Sequence, residues 1–434
     1  MKPMNKLTAL FITALVTAVP VIASSDDWAP RADDSFGIAV YGDAPYGCKA
    51  ATAAGASDEC PPNQTTYKPD SANGPNPGDP RQLDATPSFI EAVNRDRAVD
   101  FVLHAGDIHS GSGYCTLAYD QRIFDLWTQF RDPLIYTPGD NEWTDCQKSK
   151  EGGGVFNASG EYVDFAAGHP VANLALVRSI FFAVPGETLG GRTRHVTSQA
   201  QAYEKPSDAE YVENVRWEKS RVMFVTVNIP GGSNNDDDPW NSSAFGSGFT
   251  SPSGIPTAQS APQQQEVVQR TAADLRWLES AFALAQANGD KAVVIMEQAD
   301  MWDLDGTPLN PISTNHIAKY EPFIAKIAQL TKAFGKPVLL INGDSHHYRS
   351  DNPLQDGAPC VVEQAGGGTA TMACTDDNYD THPNYPGEWP NFHRLVVHGA
   401  TFPLQYIRLT VNPRAYYSTS ASSFGPFRWE RVIP

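Results

Sequence analysis

The feature that most constrains this chain is a run of β-forming residues that ends in Gly-Asp. The clearest case is residues 99–109, which read Val-Asp-Phe-Val-Leu-His-Ala-Gly-Asp-Ile-His. A short apolar run of this kind predicts a buried strand, and its glycine allows the backbone to turn sharply. Open α/β sheets place their ligand chemistry just beyond the carboxyl ends of such strands. The sequence therefore predicts a functional carboxylate at Asp107.

Four further strand-like runs end in polar residues. The side chains are Asp43 after residues 36–41, Asp140 and Asn141 after 134–137, Gln298 after 292–296, and Asp344 with His346 after 338–341. Five polar strand ends on one sheet edge are typical of a metal site. A pair of divalent cations needs one bridging carboxylate and further oxygen or nitrogen donors on rigid elements.

Helical periodicity alternates with these strands through the middle of the chain. The predicted helices cover residues 88–99, 119–130, 172–183, 263–288 and 322–334, and strands are predicted at 221–229, 394–397 and 406–411. This order predicts a two-sheet α/β sandwich. Residues 47–86 are rich in Pro, Gly, Asn and Ser, so they are predicted to be a long irregular insertion.

The charge balance restricts the partners of the chain. It carries 32 basic and 50 acidic residues, for a net charge of −18. Without a basic stripe, nucleic acid is not expected to be its main partner. A surplus of carboxylates is compatible with binding of divalent cations.

The N-terminus predicts export. Lys2 and Lys6 precede the apolar run 7–22, and Val21-Ile22-Ala23 has the small-residue pattern of a cleavage site. We predict a secretory signal peptide over residues 1–23, and a secreted or periplasmic protein without membrane association after cleavage. A membrane anchor is less favoured because the run is short and contains Pro20.

The six cysteines fit an oxidising compartment. They lie in near-sequence couples, and we predict disulfides between Cys48 and Cys60, Cys115 and Cys146, and Cys360 and Cys374. Six cysteines allow fifteen pairings, so spacing alone does not settle the connectivity. A cysteine metal site is not favoured, because no Cys-x-x-Cys spacing occurs.

The order of the five motifs resembles the calcineurin-like metallophosphoesterase superfamily, including its purple acid phosphatase branch. The corresponding segments are Gly42-Asp43-Ala44-Pro45, Gly106-Asp107-Ile108-His109, Gly139-Asp140-Asn141-Glu142, Glu297-Gln298-Ala299-Asp300 and Gly343-Asp344-Ser345-His346. The resemblance covers about residues 36–411 and implies a four-layer α/β/β/α fold. It places the domain at 34–413 and leaves residues 414–434 as a C-terminal tail.

The resemblance implies a metal-dependent phosphoric ester hydrolase that acts on a small phosphorylated substrate, either a phosphomonoester or a phosphodiester, by attack of a metal-bound hydroxide. It implies two divalent cations, with ligands Asp43, Asp107, Asp140, Asn141, Gln298, Asp344 and His346. A general acid is also needed, and His109 is the first candidate and Glu142 the second. Asn141 is a candidate to hydrogen-bond the phosphate.

The site departs from the family pattern at several positions. Only Asp43, Asp107 and His346 match it identically. The replacements Asp140, Asn141, Gln298 and Asp344 exchange other family residues, mostly imidazoles, for oxygen donors, and Pro45 replaces a histidine. Oxygen donors favour Mg²⁺, Mn²⁺ or Ca²⁺, although zinc or iron also fits the resemblance. In an alternative register, Asn141 is the ligand and Glu142 takes the catalytic position.

Two other functions are compatible with parts of this pattern. The first is a secreted, non-catalytic protein of the same fold that binds a metal or ligand without turnover. The donor character of the replacements favours the enzyme, because decayed sites more often contain Ala, Ser or Gly. The second is a glycosidase with paired carboxylates, which explains the strand-end aspartates but not Gly343-Asp344-Ser345-His346. The sequence does not indicate an oligomeric state.

Overall fold

The computed structural model of the chain describes residues 33–47, 80–236, 239–240, 259–302, 316–355, 357–363, 369–373 and 388–434. Within these ranges the strands form two mixed sheets, and helices lie against both of them. The predicted two-sheet sandwich flanked by helices is therefore confirmed. No helix in these ranges is long and apolar enough to cross a membrane.

The first sheet is built around β1 (Phe36–Tyr41), whose residues are all buried. β1 pairs in parallel with β2 (Val99–His104), which pairs in parallel with β3 (Leu134–Tyr136). On its other side, β1 pairs antiparallel with β13 (Tyr406–Val411), and β13 pairs with β16 (Phe427–Val432). The sheet is completed by β14 (Tyr417–Ser420) and β15 (Ser423–Gly425).

The second sheet has a parallel centre with antiparallel strands on both sides. Its parallel strands are β6 (Val222–Thr226), β7 (Ala292–Met296), β8 (Val338–Asn342) and β12 (Phe392–Val396). Beyond β6 lie β5 (Val215–Lys219) and β4 (Thr197–Ser198), and beyond β12 lie β9 (Arg349–Asp351), β10 (Pro359–Glu363) and β11 (Thr369–Ala373). Because the central strands are covered on both faces, they consist mainly of Val, Ile, Leu and Phe.

The layers follow the order helix, sheet, sheet, helix. The helices are α1 (Pro80–Arg95), α2 (Leu117–Trp127), α3 (Pro170–Phe181), α4 (Gly231–Asn235), α5 (Ala261–Asn288) and α6 (Glu321–Phe334). Apolar side chains such as Ile38 and Val294 fill the space between the sheets. Trp127 lies in the core between the first sheet and α1–α3, and Trp277 and Phe323 lie in the core between the second sheet and α5 and α6.

Two segments differ from the sequence-based expectation. Residues 414–434 are not a tail outside the domain, because β16 pairs with β13 along its whole length. Its alternate residues Phe427 and Trp429 are buried, so this strand contributes to the core between the sheets. The helix α1 begins at Pro80, inside the stretch predicted to be irregular, because Leu83 and Phe89 pack against the first sheet.

A disulfide joins Cys115 to Cys146, with a Cα–Cα distance of 5.8 Å, as predicted. It links the segments that follow β2 and β3. Cys360 is also disulfide-bonded. The predictions that involve Cys48, Cys60 and Cys374, like the predicted signal peptide, fall outside the described residues.

Candidate functional site

The site lies where the carboxyl ends of the parallel strands of both sheets meet. Asp43, Asp107 and Asp140 follow β1, β2 and β3, whereas Gln298 and Asp344 follow β7 and β8. Parallel strands end at the same edge of a sheet, so each sheet presents its polar residues together. The backbone N–H of Asp344 donates to Oδ1 of Asp43 at 2.9 Å, which connects the two sheets at the centre of the site.

Four of these site residues adopt left-handed backbone conformations. The φ angles are 49° at Asp43, 57° at Asp107, 74° at Asp344 and 63° at His346. Few residues other than glycine adopt such angles, although Asp, Asn and His do so more often than most. Each such residue costs about 1–3 kcal/mol, and such strain is concentrated at functional sites. The turns point these side chains toward one another.

The side chains form two overlapping groups of possible metal ligands. One consists of Asp43, Asp107 and His346, and the other of Asp107, Asp140 and Asp344. Within each group the ligand atoms lie within 4.8 Å of one another. Asp107 belongs to both groups, which is the arrangement that a bridging carboxylate requires.

Burial makes the negative charge of this cluster costly. It raises the pKa of Asp43, Asp107 and Asp344 well above the usual range, and neighbouring carboxylates raise these values further. Burial likewise raises the pKa of Asp140 to about 6. Partial burial lowers the pKa of His346, whose side chain is 34% exposed, to about 4, which favours the neutral imidazole that a metal ligand requires. A bound cation would offset the repulsion among the carboxylates.

In the segment after β3, the side chain of Asp140, and not that of Asn141, lies among the other possible metal ligands. Asp140 joins the second group, whereas the side-chain Nδ2 of Asn141 donates to the carbonyl of His109 at 3.0 Å. Glu142 points away into the protein, where Oε1 accepts the N–H of Gly139 at 2.7 Å and the hydroxyl of Tyr136. Burial raises the pKa of Glu142 to about 7. Glu142 therefore holds the turn and does not reach the cavity.

His109, the first candidate for the general acid, is not placed where it could protonate a leaving group. It is buried, its Nδ1 lies 3.1 Å from the carbonyl of Ser110, and its ring packs edge-on against Tyr119. Burial lowers its pKa to about 4, so His109 carries no proton to donate as an imidazolium at neutral pH. It also lies beside Cys115, but a disulfide sulfur is not a thiolate ligand.

Gln298 does not present its oxygen to the carboxylates. Its Oε1 accepts the N–H of Gly231 at 2.6 Å, and its Nε2 donates to Asp107 at 3.2 Å and to Asp140 at 2.9 Å. The predicted ligand role of Gln298 required the opposite orientation. The acceptor that Gly231 needs sets this orientation, and the sequence of β7 gives no sign of it.

A cavity of about 380 Å³ opens over the two groups. Its walls are formed by Tyr46, Asp107, Gly111, Ser112, Asp140, Asn141, Lys150, Asp344 and His346. A Cβ added to Gly111 would lie 3.1 Å from Oδ1 of Asn141 and 3.4 Å from Nζ of Lys150, so these two groups face the same part of the wall.

Tyr46 and Lys150 were not identified from the sequence. The hydroxyl of Tyr46 lies 3.0 Å from Nε2 of His346, and the only earlier sign of it was its place three residues after Asp43. Lys150 comes from a surface segment beyond Cys146, and no motif marks it. The disulfide that connects this segment to the one after β2 was the one available signal.

A buried ion-pair network supports the loop of Asp344. The N–H of Asp300 donates to Oδ2 of Asp344 at 2.9 Å. The carboxylate of Asp300 accepts the hydroxyl of Ser345 at 2.9 Å. Arg394, which is fully buried, donates to Asp300 and to both oxygens of Asp351. Satisfied networks of this kind fix the geometry of the groups attached to them.

Comparison with known proteins gives one family match. A sequence model described as calcineurin-like phosphoesterase matches residues 39–252. No protein of curated function matches the chain.

Two solved structures resemble the chain over most of its length. Purple acid phosphatase PPD1 from seeds of yellow lupin (Lupinus luteus) is 12% identical with a TM-score of 0.36, and the match covers 88% of this chain and 50% of that one. A putative 5'-nucleotidase from Staphylococcus aureus is 9% identical with a TM-score of 0.38, covering 92% and 54%. This chain thus spans about half the length of each.

Proposed function

The chain belongs, through residues 39–252, to the calcineurin-like phosphoesterase family, and from this premise we propose that it hydrolyses small phosphate esters with bound divalent cation. The observation that carries the proposal is the pair of ligand groups that share Asp107 beneath a cavity of about 380 Å³. The predicted signal peptide supports a secreted or periplasmic location for this activity.

The group of Asp43, Asp107 and His346 fits a divalent cation. Oδ2 of Asp43 is buried, and among the described residues it has no hydrogen-bond partner, so a cation would satisfy it. These side chains offer two carboxylates and one neutral imidazole. A cation bound there supplies positive charge that offsets the charge developing on the phosphoryl oxygens. With oxygen donors in the majority, Mg²⁺, Mn²⁺ and Ca²⁺ are favoured.

Lys150 binds the phosphate of the substrate in this proposal. Its side chain is 56% exposed, its Nζ lies 3.5 Å from Oε1 of the buried Glu151, and it is the one lysine or arginine on the described cavity wall. The remaining wall is acidic around Asp107, Asp140 and Asp344, which would repel a phosphate in the absence of cations. The ammonium group of Lys150, near Asn141 on the same part of the wall, attracts the anion.

Asn141 orients a water molecule or the leaving group. Its Nδ2 donates to the carbonyl of His109, and its Oδ1 lies beside Gly111 on the cavity wall, where it can accept a hydrogen bond. A side-chain amide does not titrate, so Asn141 is not a general acid. Esters whose leaving group needs no protonation are therefore expected to be the better substrates.

Hydrolysis assays on metal-free protein test this function. Chelated protein should hydrolyse neither p-nitrophenyl phosphate nor bis(p-nitrophenyl) phosphate, and addition of Mn²⁺, Mg²⁺ or Ca²⁺ should restore hydrolysis of at least one. The ester that is hydrolysed faster shows whether the protein prefers monoesters or diesters. Hydrolysis that persists after chelation contradicts the proposal. Bound metal with no turnover on either ester instead supports the non-catalytic alternative.

A further inference from the structure

The two ligand groups differ in what lies between their oxygens. In the group of Asp107, Asp140 and Asp344, the amide nitrogen of Gln298 lies within hydrogen-bond distance of two members, at 3.2 Å from Asp107 Oδ2 and 2.9 Å from Asp140 Oδ1. In the group of Asp43, Asp107 and His346, no donor of the described residues bonds two members at once. The N–H of Asp344 donates to Asp43 Oδ1 at 2.9 Å and the hydroxyl of Tyr46 lies 3.0 Å from His346 Nε2, whereas Asp43 Oδ2 has no partner among the described residues.

The orientation of Gln298 is determined by its surroundings. The N–H of Gly231 lies 2.6 Å from Oε1, and a backbone N–H can only donate, so the amide oxygen must face it. Reversal of the amide would set two donors against each other and leave an oxygen between two carboxylates. The side chain is fully buried, and Cβ atoms at Gly106 and Gly139 would lie 2.5 Å and 2.8 Å from its carbon atoms. Gln298 has little room to move aside.

An amide nitrogen donates hydrogen bonds but does not bind a cation. In this position it satisfies two of the carboxylate oxygens that a cation would need. A cation that binds there must break both hydrogen bonds and displace a buried side chain from Gly231. The residues of the second group therefore fit a cation less well than those of the first.

We propose that the site binds one divalent cation tightly at Asp43, Asp107 and His346, and that Gln298 keeps the Asp107, Asp140 and Asp344 group a weak, exchangeable site. This inference rests on the proposed metal-dependent function. Loss of charge-assisted hydrogen bonds at the second group predicts about a tenfold to hundredfold difference in Kd between the two sites.

Titration of the metal-free protein with Mn²⁺ tests the inference without reference to activity. Bound Mn²⁺ is measured by equilibrium dialysis and elemental analysis. We expect one equivalent per chain to bind at low free Mn²⁺, and a second only at concentrations about tenfold to a hundredfold higher. Two equivalents that bind with equal affinity would overturn the inference.

The variant Gln298→Glu tests the role of the amide directly. One carboxylate oxygen can still accept the N–H of Gly231, while the other replaces the amide nitrogen as a cation ligand. We expect the second equivalent of Mn²⁺ to bind at least as tightly as the first. The control Gln264→Glu makes the same charge change at an exposed position of α5 and should leave both affinities unchanged. Unchanged second-site affinity in folded Gln298→Glu would contradict the inference.

These measurements separate the inference from the proposed function. One tight cation with no ester hydrolysis overturns the proposed function and leaves the inference standing. Two cations that bind with equal affinity, together with ester hydrolysis, overturn the inference and leave the proposed function standing. Protein that binds no Mn²⁺ at either group overturns both.

Discussion

At the scale of single residues, the site is built from acidic side chains held in costly conformations. Asp43, Asp107 and Asp344 combine left-handed backbone with burial that raises their pKa. Neither feature favours folding by itself. Their coincidence where the strand ends of the two sheets meet is best explained by a ligand of positive charge, because a cation stabilises the ionised carboxylates that burial disfavours.

Lys150 gives a prediction at this scale. The variant Lys150→Met should raise KM for p-nitrophenyl phosphate about tenfold, because a charge-assisted contact with the phosphate is lost, and should change kcat little. Steady-state kinetics at saturating Mn²⁺ measure both constants. The control Lys332→Met removes an exposed lysine from α6, far along the chain from the cavity segments, and should leave KM unchanged. Equal KM values in the wild type and Lys150→Met would contradict this role.

The sequence identified the residues whose position depends on a strand and a tight turn. Asp43, Asp107 and Asp344 follow apolar runs directly, and the ends of β1 and β2 in the first sheet and of β8 in the second place them. It did not identify Lys150, because that residue depends on the path of a surface segment. Nor could it give the orientation of Gln298, which is determined by an N–H from the remote turn α4.

At the scale of elements, close packing of the turns after β2 and β3 defines the site. A Cβ added to Gly139 would lie 2.0 Å from Oδ1 of Asp107, so the two turns touch at Asp107. The disulfide between Cys115 and Cys146 joins the segments that continue from these turns. The strands that lead into the turns are strongly apolar and were predicted closely. Short strands such as β4 and β9 were not, because pairing partners distant in sequence define them.

Gly139→Ala tests this packing. The added methyl group must displace Asp107 or the turn after β3, and a displacement of about 1 Å costs about a hundredfold in catalytic rate. We expect that loss in kcat/KM together with weaker Mn²⁺ binding. Gly113→Ala is the matched control, because its Cβ meets nothing closer than 3.4 Å. If Gly139→Ala bound Mn²⁺ and turned over as the control does, the close approach would not matter for function.

At the scale of the whole molecule, the sandwich buries carboxyl groups beyond the site as well. Both oxygens of Asp164 are buried, and burial raises its pKa to about 9. The folded protein therefore keeps a proton that the unfolded chain loses near pH 4. Stability from this group is present at acid pH and declines as the pH rises toward 9.

Asp164 predicts the pH dependence of stability. Between pH 7 and 8.5 the free energy of unfolding should fall by about 1.4 kcal/mol per pH unit for this proton. Burial lowers the pKa of histidines such as His104 to about 3. Such histidines make the free energy of unfolding rise with pH, but only below about pH 6.5, where the unfolded chain binds their protons. The free energy of unfolding, measured by urea titration in chelator at several pH values, should fall with pH less steeply in Asp164→Asn than in the wild type, by this amount. Parallel slopes would mean that Asp164 is ionised in the folded protein.

The central claim is that hydrolysis depends on a cation held by Asp107 and its neighbours. The most direct measurement titrates metal-free protein with Mn²⁺ and follows bound metal and p-nitrophenyl phosphate hydrolysis in the same samples. The account predicts that the rate rises with bound Mn²⁺ in the wild type, and that folded Asp107→Asn neither binds Mn²⁺ tightly nor hydrolyses the ester. A rate unrelated to bound Mn²⁺, or wild-type binding and turnover in Asp107→Asn, would contradict it.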